Sequence, residues 1–179
     1  LLKVYKSMSK NILNKKYNFL RPIKTKSLVR MGRNMVGGYI VDLEVIEKTN
    51  TLISFGFGPE WSFEDEFLKI KDNGKVIIYD HGLTPVPYFK EILKYLRRFI
   101  MLRGSLKSLT ERLKNYKEYK DFFNQNKVKH FKEKITYPLK TKNCADLSKA
   151  ISRKNDDSEI VLKIDIQSNE YKIINQIIE

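Results

Sequence analysis

Apolar residues gather in short runs bounded by turn-forming residues, and between those runs they recur at helical spacing. TLISFGF from Thr51, KVIIYD from Lys75 and EIVLKIDI from Glu159 are rich in β-formers and almost continuously apolar. That pattern predicts strands covered on both faces. SFEDEFLKIK places Phe63, Phe67 and Ile70 on one helical face; Ser62 with Asp65 is a start signal, and Asp72-Asn73-Gly74 a stop. After Pro85, PYFKEILKYLRRFI aligns Phe89, Ile92, Leu93 and Leu96 and predicts a second helix. Residues 105–126 read as a more polar helical insertion, CADLSKAISRK as a helix, and EYKIINQIIE as the start of another. VKHFKEKITY has no consistently apolar face and reads as a strand of mixed character.

Strand and helix therefore alternate, which predicts an α/β fold of βαβ units around a parallel sheet. Residues 1–29 are basic and weakly patterned, with a break at Arg21-Pro22, and predict an extension ahead of a domain over 30–179. The last helix has no following strand. The expectation is a sheet truncated after its fourth strand, with its most apolar strand at an open edge.

Composition narrows the class. A chain of 179 residues with 41% apolar content can bury one real core. No apolar run reaches the length of a membrane span, so no transmembrane segment is expected. LLKVYKSMSKNILNKK lacks the apolar core of a signal peptide, and Cys144 is the single cysteine. Together these predict a cytoplasmic, soluble protein in a reducing compartment. The net charge is +14, yet 27 of the 35 basic residues are lysines scattered along the chain. Nucleic-acid surfaces concentrate arginine beside stacking aromatics, so no specific nucleic-acid partner is expected. Anionic small molecules and anionic membrane faces stay open, as does self-association into a homo-oligomer.

Candidate chemistry begins at the break in the first clear strand. Gly56-Phe57-Gly58-Pro59-Glu60-Trp61 lies where ligands of open α/β sheets bind, beyond the strand's carboxyl end. An ordinary glycine-containing turn is the competing explanation. KVIIYD closes with Asp80, 22 residues beyond Gly58, near the spacing at which an acid takes ribose hydroxyls; alternatively Asp80 caps the turn leading to Pro85. A dinucleotide fingerprint needs a third small residue, and Trp61 occupies that position. Glu60 and the acidic helix start SFEDE would repel a pyrophosphate. They suit a cation better, and S-adenosylmethionine combines a ribose with a positive sulfonium.

Three further stretches supply candidates. Gly37-Gly38, followed by Tyr39, reads as a hairpin turn or as a crevice wall, with Arg30 placed for an anionic group. Asp165 ends a buried strand, where a carboxylate is costly unless solvated, paired or ligand-bound. Glu170 begins the next helix and has a structural alternative at the helix dipole. His81 is a candidate proton acceptor and His130 reads as a surface residue; neither has metal-ligand spacing, so no metal site is assigned.

LVRMGRN with GGY, LISFGFGPEWSFE, VIIYDHG and LKIDIQSNEYKII occur in this order over residues 28–179. In that respect the chain resembles the FkbM-like S-adenosylmethionine-dependent methyltransferases. The resemblance implies the Rossmann-like class I fold, with seven strands flanked by helices. It implies Gly56, Phe57, Gly58, Glu60 and Asp80 as cofactor residues, and Asp165 with Glu170 as an acidic pair near the reaction centre. It also implies O-methylation of a sugar or polysaccharide precursor as the activity. Three features depart from the family. Met35-Val36 precedes the paired glycines where an acid is usual. Asp165-Ile166-Gln167-Ser168-Asn169-Glu170 replaces Asp-x-Glu-Gly-x-Glu, and three further strands are missing. The alternatives are a truncated or degenerate non-catalytic relative acting as a binding module, and a basic nucleic-acid-binding protein.

Overall fold

The computed structural model of the chain describes residues 26–34, 37–58, 60–139, 141–154, 159–167 and 169–178. Most of the expected N-terminal extension, together with Met35-Val36, Pro59 and Ser168, lies outside the described residues.

A hairpin opens the fold. Strand β1 (Leu28–Met31) pairs antiparallel with β2 (Tyr39–Asp42), Met31 opposite Tyr39, so Gly37-Gly38 sits at the hairpin end as the turn reading expected. Asp42 then caps α1 (Leu43–Lys48), its Oδ1 accepting the Glu44 N–H at 3.0 Å. That short helix carries little apolar periodicity and is absent from the sequence reading.

The sheet follows. Strand β3 (Thr51–Phe55) is buried at all five positions and lies between β4 (Lys75–Tyr79) and β8 (Ile160–Ile164), with β5 (Val128–Phe131) outside β4. All three pairings are parallel, giving the order β5-β4-β3-β8. Numbered by sequence within the sheet, this is 3-2-1-4, the first part of the order found in Rossmann-like sheets. The chain is thus α/β with a four-stranded parallel sheet flanked by helices, compatible with a Rossmann-like fold.

The alternating side chains of β3 serve two cores. Leu52 joins Phe63, Phe67, Val76, Ile78 and Phe122 on one side. Ile53 and Phe55 join Ile77, Tyr79, Ala150 and Ile173 on the other. The first side is covered by α2 (Ser62–Ile70) and α4 (Leu106–Phe123), the second by α5 (Leu147–Ser152) and α6 (Glu170–Ile178). Residues expected as a polar insertion thus form a core helix, because Leu109, Tyr119 and Phe122 of α4 are buried.

Local boundaries differ from the pattern in three places. Ser62 is not the cap of α2: its hydroxyl accepts the Arg33 N–H at 2.9 Å, and Glu60 Oε1 accepts the Ser62 N–H at 3.0 Å. VKHFKEKITY divides after Phe131, and β6 (Lys134–Ile135) pairs instead with β7 (Cys144–Ala145) in a separate parallel ladder. The helix expected from Cys144 starts only at Leu147, where Asp146 accepts the Lys149 N–H at 2.9 Å.

Helix α3 (Val86–Ile100) forms after Pro85 as the spacing predicts. None of its side chains is buried, and Phe89, Leu93 and Leu96 stand exposed.

Candidate functional site

The turn after β3 begins at Gly56, whose N–H donates to the Tyr79 carbonyl at 3.1 Å. Gly56 has φ +75°, and a β-carbon there would lie 1.8 Å from the Asp165 carbonyl oxygen. Its glycine is therefore demanded by the close approach of the chain leaving β8. Gly58, at φ +63°, has nothing within 4 Å of where its β-carbon would be. Here the backbone faces open space. Phe57 between them is buried against Phe122 and Phe123, so it offers the rim only its backbone.

Asp80 holds this turn. Its Oδ2 accepts the N–H groups of Phe57 at 3.0 Å and Gly58 at 3.3 Å, while Oδ1 accepts those of Gly82 at 2.8 Å and Leu83 at 3.0 Å. Asp80 thus caps its own turn, and the same carboxylate fastens the glycine bend to the end of β4. His130, expected at the surface, is half-buried and its Nε2 lies 2.9 Å from the Asp80 carbonyl. A carbonyl only accepts, so Nε2 carries the proton.

A cavity of about 620 Å³ opens over this rim. Gly37, Tyr39, Gly56, Phe57, Gly58, Glu60, Asp80, His81 and Asp165 all line it. The sequence candidates from three strand ends and the hairpin therefore converge. The cavity lies at the carboxyl ends of β3 and β8, between which the strand order reverses; open α/β sheets bind ligands at this switch point. A second cavity of about 380 Å³ shares Gly58 and Asp80 with the first and runs along Leu83, Pro87 and Tyr88, a largely apolar wall.

The individual carboxylates differ in how committed they are. Glu60 pairs with Arg33 at 2.9 Å and packs under Gly37, where a β-carbon would meet Glu60 Cγ at 2.1 Å. Glu133, also on the cavity wall, is held by Arg153 at 2.5 and 3.0 Å and by Lys149 at 3.1 Å. The Arg153 bonds keep its carboxyl below the usual range. Asp165 is exposed and accepts the Tyr39 hydroxyl at 3.2 Å on Oδ2. Burial, with Asp165 adding to it, pushes the Tyr39 phenol up to about 12, so it remains a donor at neutral pH.

Glu170, Arg30 and Gly38 do not line the cavity. Glu170 Oε1 accepts the Ile166 N–H at 2.7 Å and closes the turn before α6. The Arg30 guanidinium donates to the Arg33 carbonyl at 2.9 Å.

Sequence reasoning missed Lys163 and Glu64. Lys163 Nζ donates to Glu64 Oε1 at 2.8 Å, Ser54 Oγ donates to the same oxygen at 2.6 Å, and both charged side chains are buried. The ammonium also lies 5.1 Å from the centre of the Tyr39 ring and lines the cavity floor. The signal was a lysine inside IVLKI, a position that demands a buried partner. Among the described residues no group of three His, Cys, Asp or Glu side chains is arranged to hold a metal ion.

No family model, curated protein or solved structure matches the chain.

Proposed function

We propose that the chain is an S-adenosylmethionine-dependent methyltransferase domain, its cofactor lying across the carboxyl rim of the sheet. The observation that carries the reading is the meeting of two cavities at Gly58 and Asp80, beside the point where strand order reverses. Their chemistry suits the parts of a nucleoside sulfonium. The larger cavity, walled by Asp165 and Glu60, suits the cationic amino-acid portion; the apolar wall of Leu83, Pro87 and Tyr88 suits a flat base. Asp80 lies between them, where a ribose would sit. Its carboxylate already accepts four amides, so a hydroxyl would enter by replacing the longest of these bonds, that from Gly58.

When bound, the cofactor would supply an electrophilic methyl group for an acceptor oxygen. The residues of the chain would orient and deprotonate that acceptor. Asp165, steadied by Tyr39, and exposed His81 are the groups on the cavity wall able to take the hydroxyl proton. Glu170, committed to the Ile166 amide, would fix the turn that carries Asp165. The acceptor class, a sugar or polysaccharide hydroxyl, follows from the FkbM-like resemblance.

A second reading, a non-catalytic methyltransferase-like binding module, is favoured by the commitment of Glu60 and Glu170 to structural bonds. Calorimetric titration with S-adenosylmethionine and its demethylated product tests the shared site. Saturable binding weakened in Asp80→Ala and Asp165→Ala supports it; absence of binding by the folded chain removes both readings. Transfer of a labelled methyl group to saccharide acceptors then separates enzyme from module.

A further inference from the structure

The connection between β4 and β5 is a helical hairpin whose outer surface no part of the described structure covers. Along α3, Phe89, Leu93, Leu96 and Ile100 recur at helical spacing and form one stripe. Leu93 is 53% exposed and Ile100 71%, and the stripe runs into Met101 at 66% and Leu102 at 94% at the hairpin tip. An apolar stripe left in water in this way marks an interaction surface. An adjacent side of α3 packs on α4: Arg112 stacks over Tyr95 at 4.8 Å and Tyr88 meets Tyr119 at 4.8 Å, while Phe89 at the start of the stripe meets Tyr116 at 4.9 Å. Beyond Phe89, the stripe residues Leu93, Leu96 and Ile100 stand exposed.

Charge selects the partner. Lys90, Lys94 and Arg97 each follow a stripe residue, so a cationic row runs beside it. Residues 86–107 hold six basic side chains and one acid, Glu91, which lies 3.7 Å from Lys94 and 3.9 Å from Arg112. A second copy of the chain would bring the same cationic row against this one. The chain's own residues 1–25, with seven basic side chains and no acid, would do likewise. None of the stripe or tip side chains lines one of the larger cavities. A basic, strongly amphipathic helix with an apolar tip fits a flat anionic interface.

We propose that the α3–α4 hairpin docks on an anionic membrane surface, the stripe and tip entering the headgroup region and the lysine and arginine row meeting the lipid charge. The helix would lie on the bilayer; no helix among the described residues is long and apolar enough to cross a membrane.

The test is co-sedimentation of the full chain with phosphatidylcholine vesicles, and with vesicles in which part of that lipid is replaced by phosphatidylserine. Binding is expected only with phosphatidylserine present, falling as salt rises, with a blue shift of the fluorescence of a Leu102→Trp reporter. Leu93→Glu with Ile100→Glu should abolish it. Lys94→Ala with Arg97→Ala should weaken it roughly thirtyfold, at roughly fivefold per basic side chain removed. Circular dichroism would establish that the variants keep their helices, and the salt dependence of the wild-type chain is a test needing no variant. Equal binding to both vesicle types, no binding, or salt-insensitive binding overturns the proposal. So does self-association of the wild type that Leu93→Glu relieves, since a second copy would then cover the stripe.

Discussion

Alanine at Gly56 would drive its β-carbon into the Asp165 carbonyl, whereas alanine at Gly58 would point into open space. Both positions have positive φ. Gly58→Ala should therefore cost only the left-handed strain, about 1–2 kcal/mol. Gly56→Ala adds a backbone clash and should cost more than about 3 kcal/mol by denaturant unfolding. Equal losses at the two sites would show that the approach of β8 to the turn is misplaced. Asp80→Ala should both destabilise the chain, by about 2–4 kcal/mol as four amides lose their acceptor, and weaken S-adenosylmethionine more than tenfold. The two glycines and Asp80 were legible because each sits where a strand pattern stops. What the sequence left open was which backbone lies against Gly56. That depends on β8, more than a hundred residues away in the chain.

At the scale of elements, the buried Lys163–Glu64 pair ties β8 to α2 beneath the cavity. Lys163→Met leaves Glu64 buried without a cation and should cost about 3–5 kcal/mol. Adding Glu64→Gln should recover a large part of this, because no charge is then stranded. A double variant as unstable as the single one would mean that packing, not charge, sets the loss. The strands and most helices could be read from periodicity alone, since burial on both faces leaves nearly unbroken apolar runs. Boundaries such as Asp146 and Glu60 could not, because their caps are decided by where a carboxylate finds amides after folding. The exposure of α3 was equally hidden: periodicity reports that a face is apolar, not whether anything covers it.

Across the described residues, burial raises four phenols, Tyr39, Tyr79, Tyr88 and Tyr119. Burial pushes Tyr39 and Tyr88 up to about 12, from an ordinary value near 10. A folded value raised above the unfolded one means their contribution to stability is complete below about pH 10 and is lost as pH rises toward about 12. Tyrosinate absorbance should accordingly show a late rise to which Tyr39 and Tyr88 contribute, and Tyr39→Phe should diminish it. The whole-molecule architecture rests on a sheet order that was only partly readable: alternation of strand and helix implies parallel pairing, but it does not say which strand lies beside which. That β3 and β8 are neighbours, with the order reversing between them, emerges only in the folded chain. The central claim is the location of the nucleoside site at that reversal. Amide chemical shifts recorded with and without S-adenosylmethionine test it most directly. The expected result is a set of saturable shifts at Gly56, Phe57, Gly58, Gly82, Leu83 and Ile166. Shifts gathered instead around Arg33, Asn115 and Glu118, or none at saturating cofactor, would contradict the account.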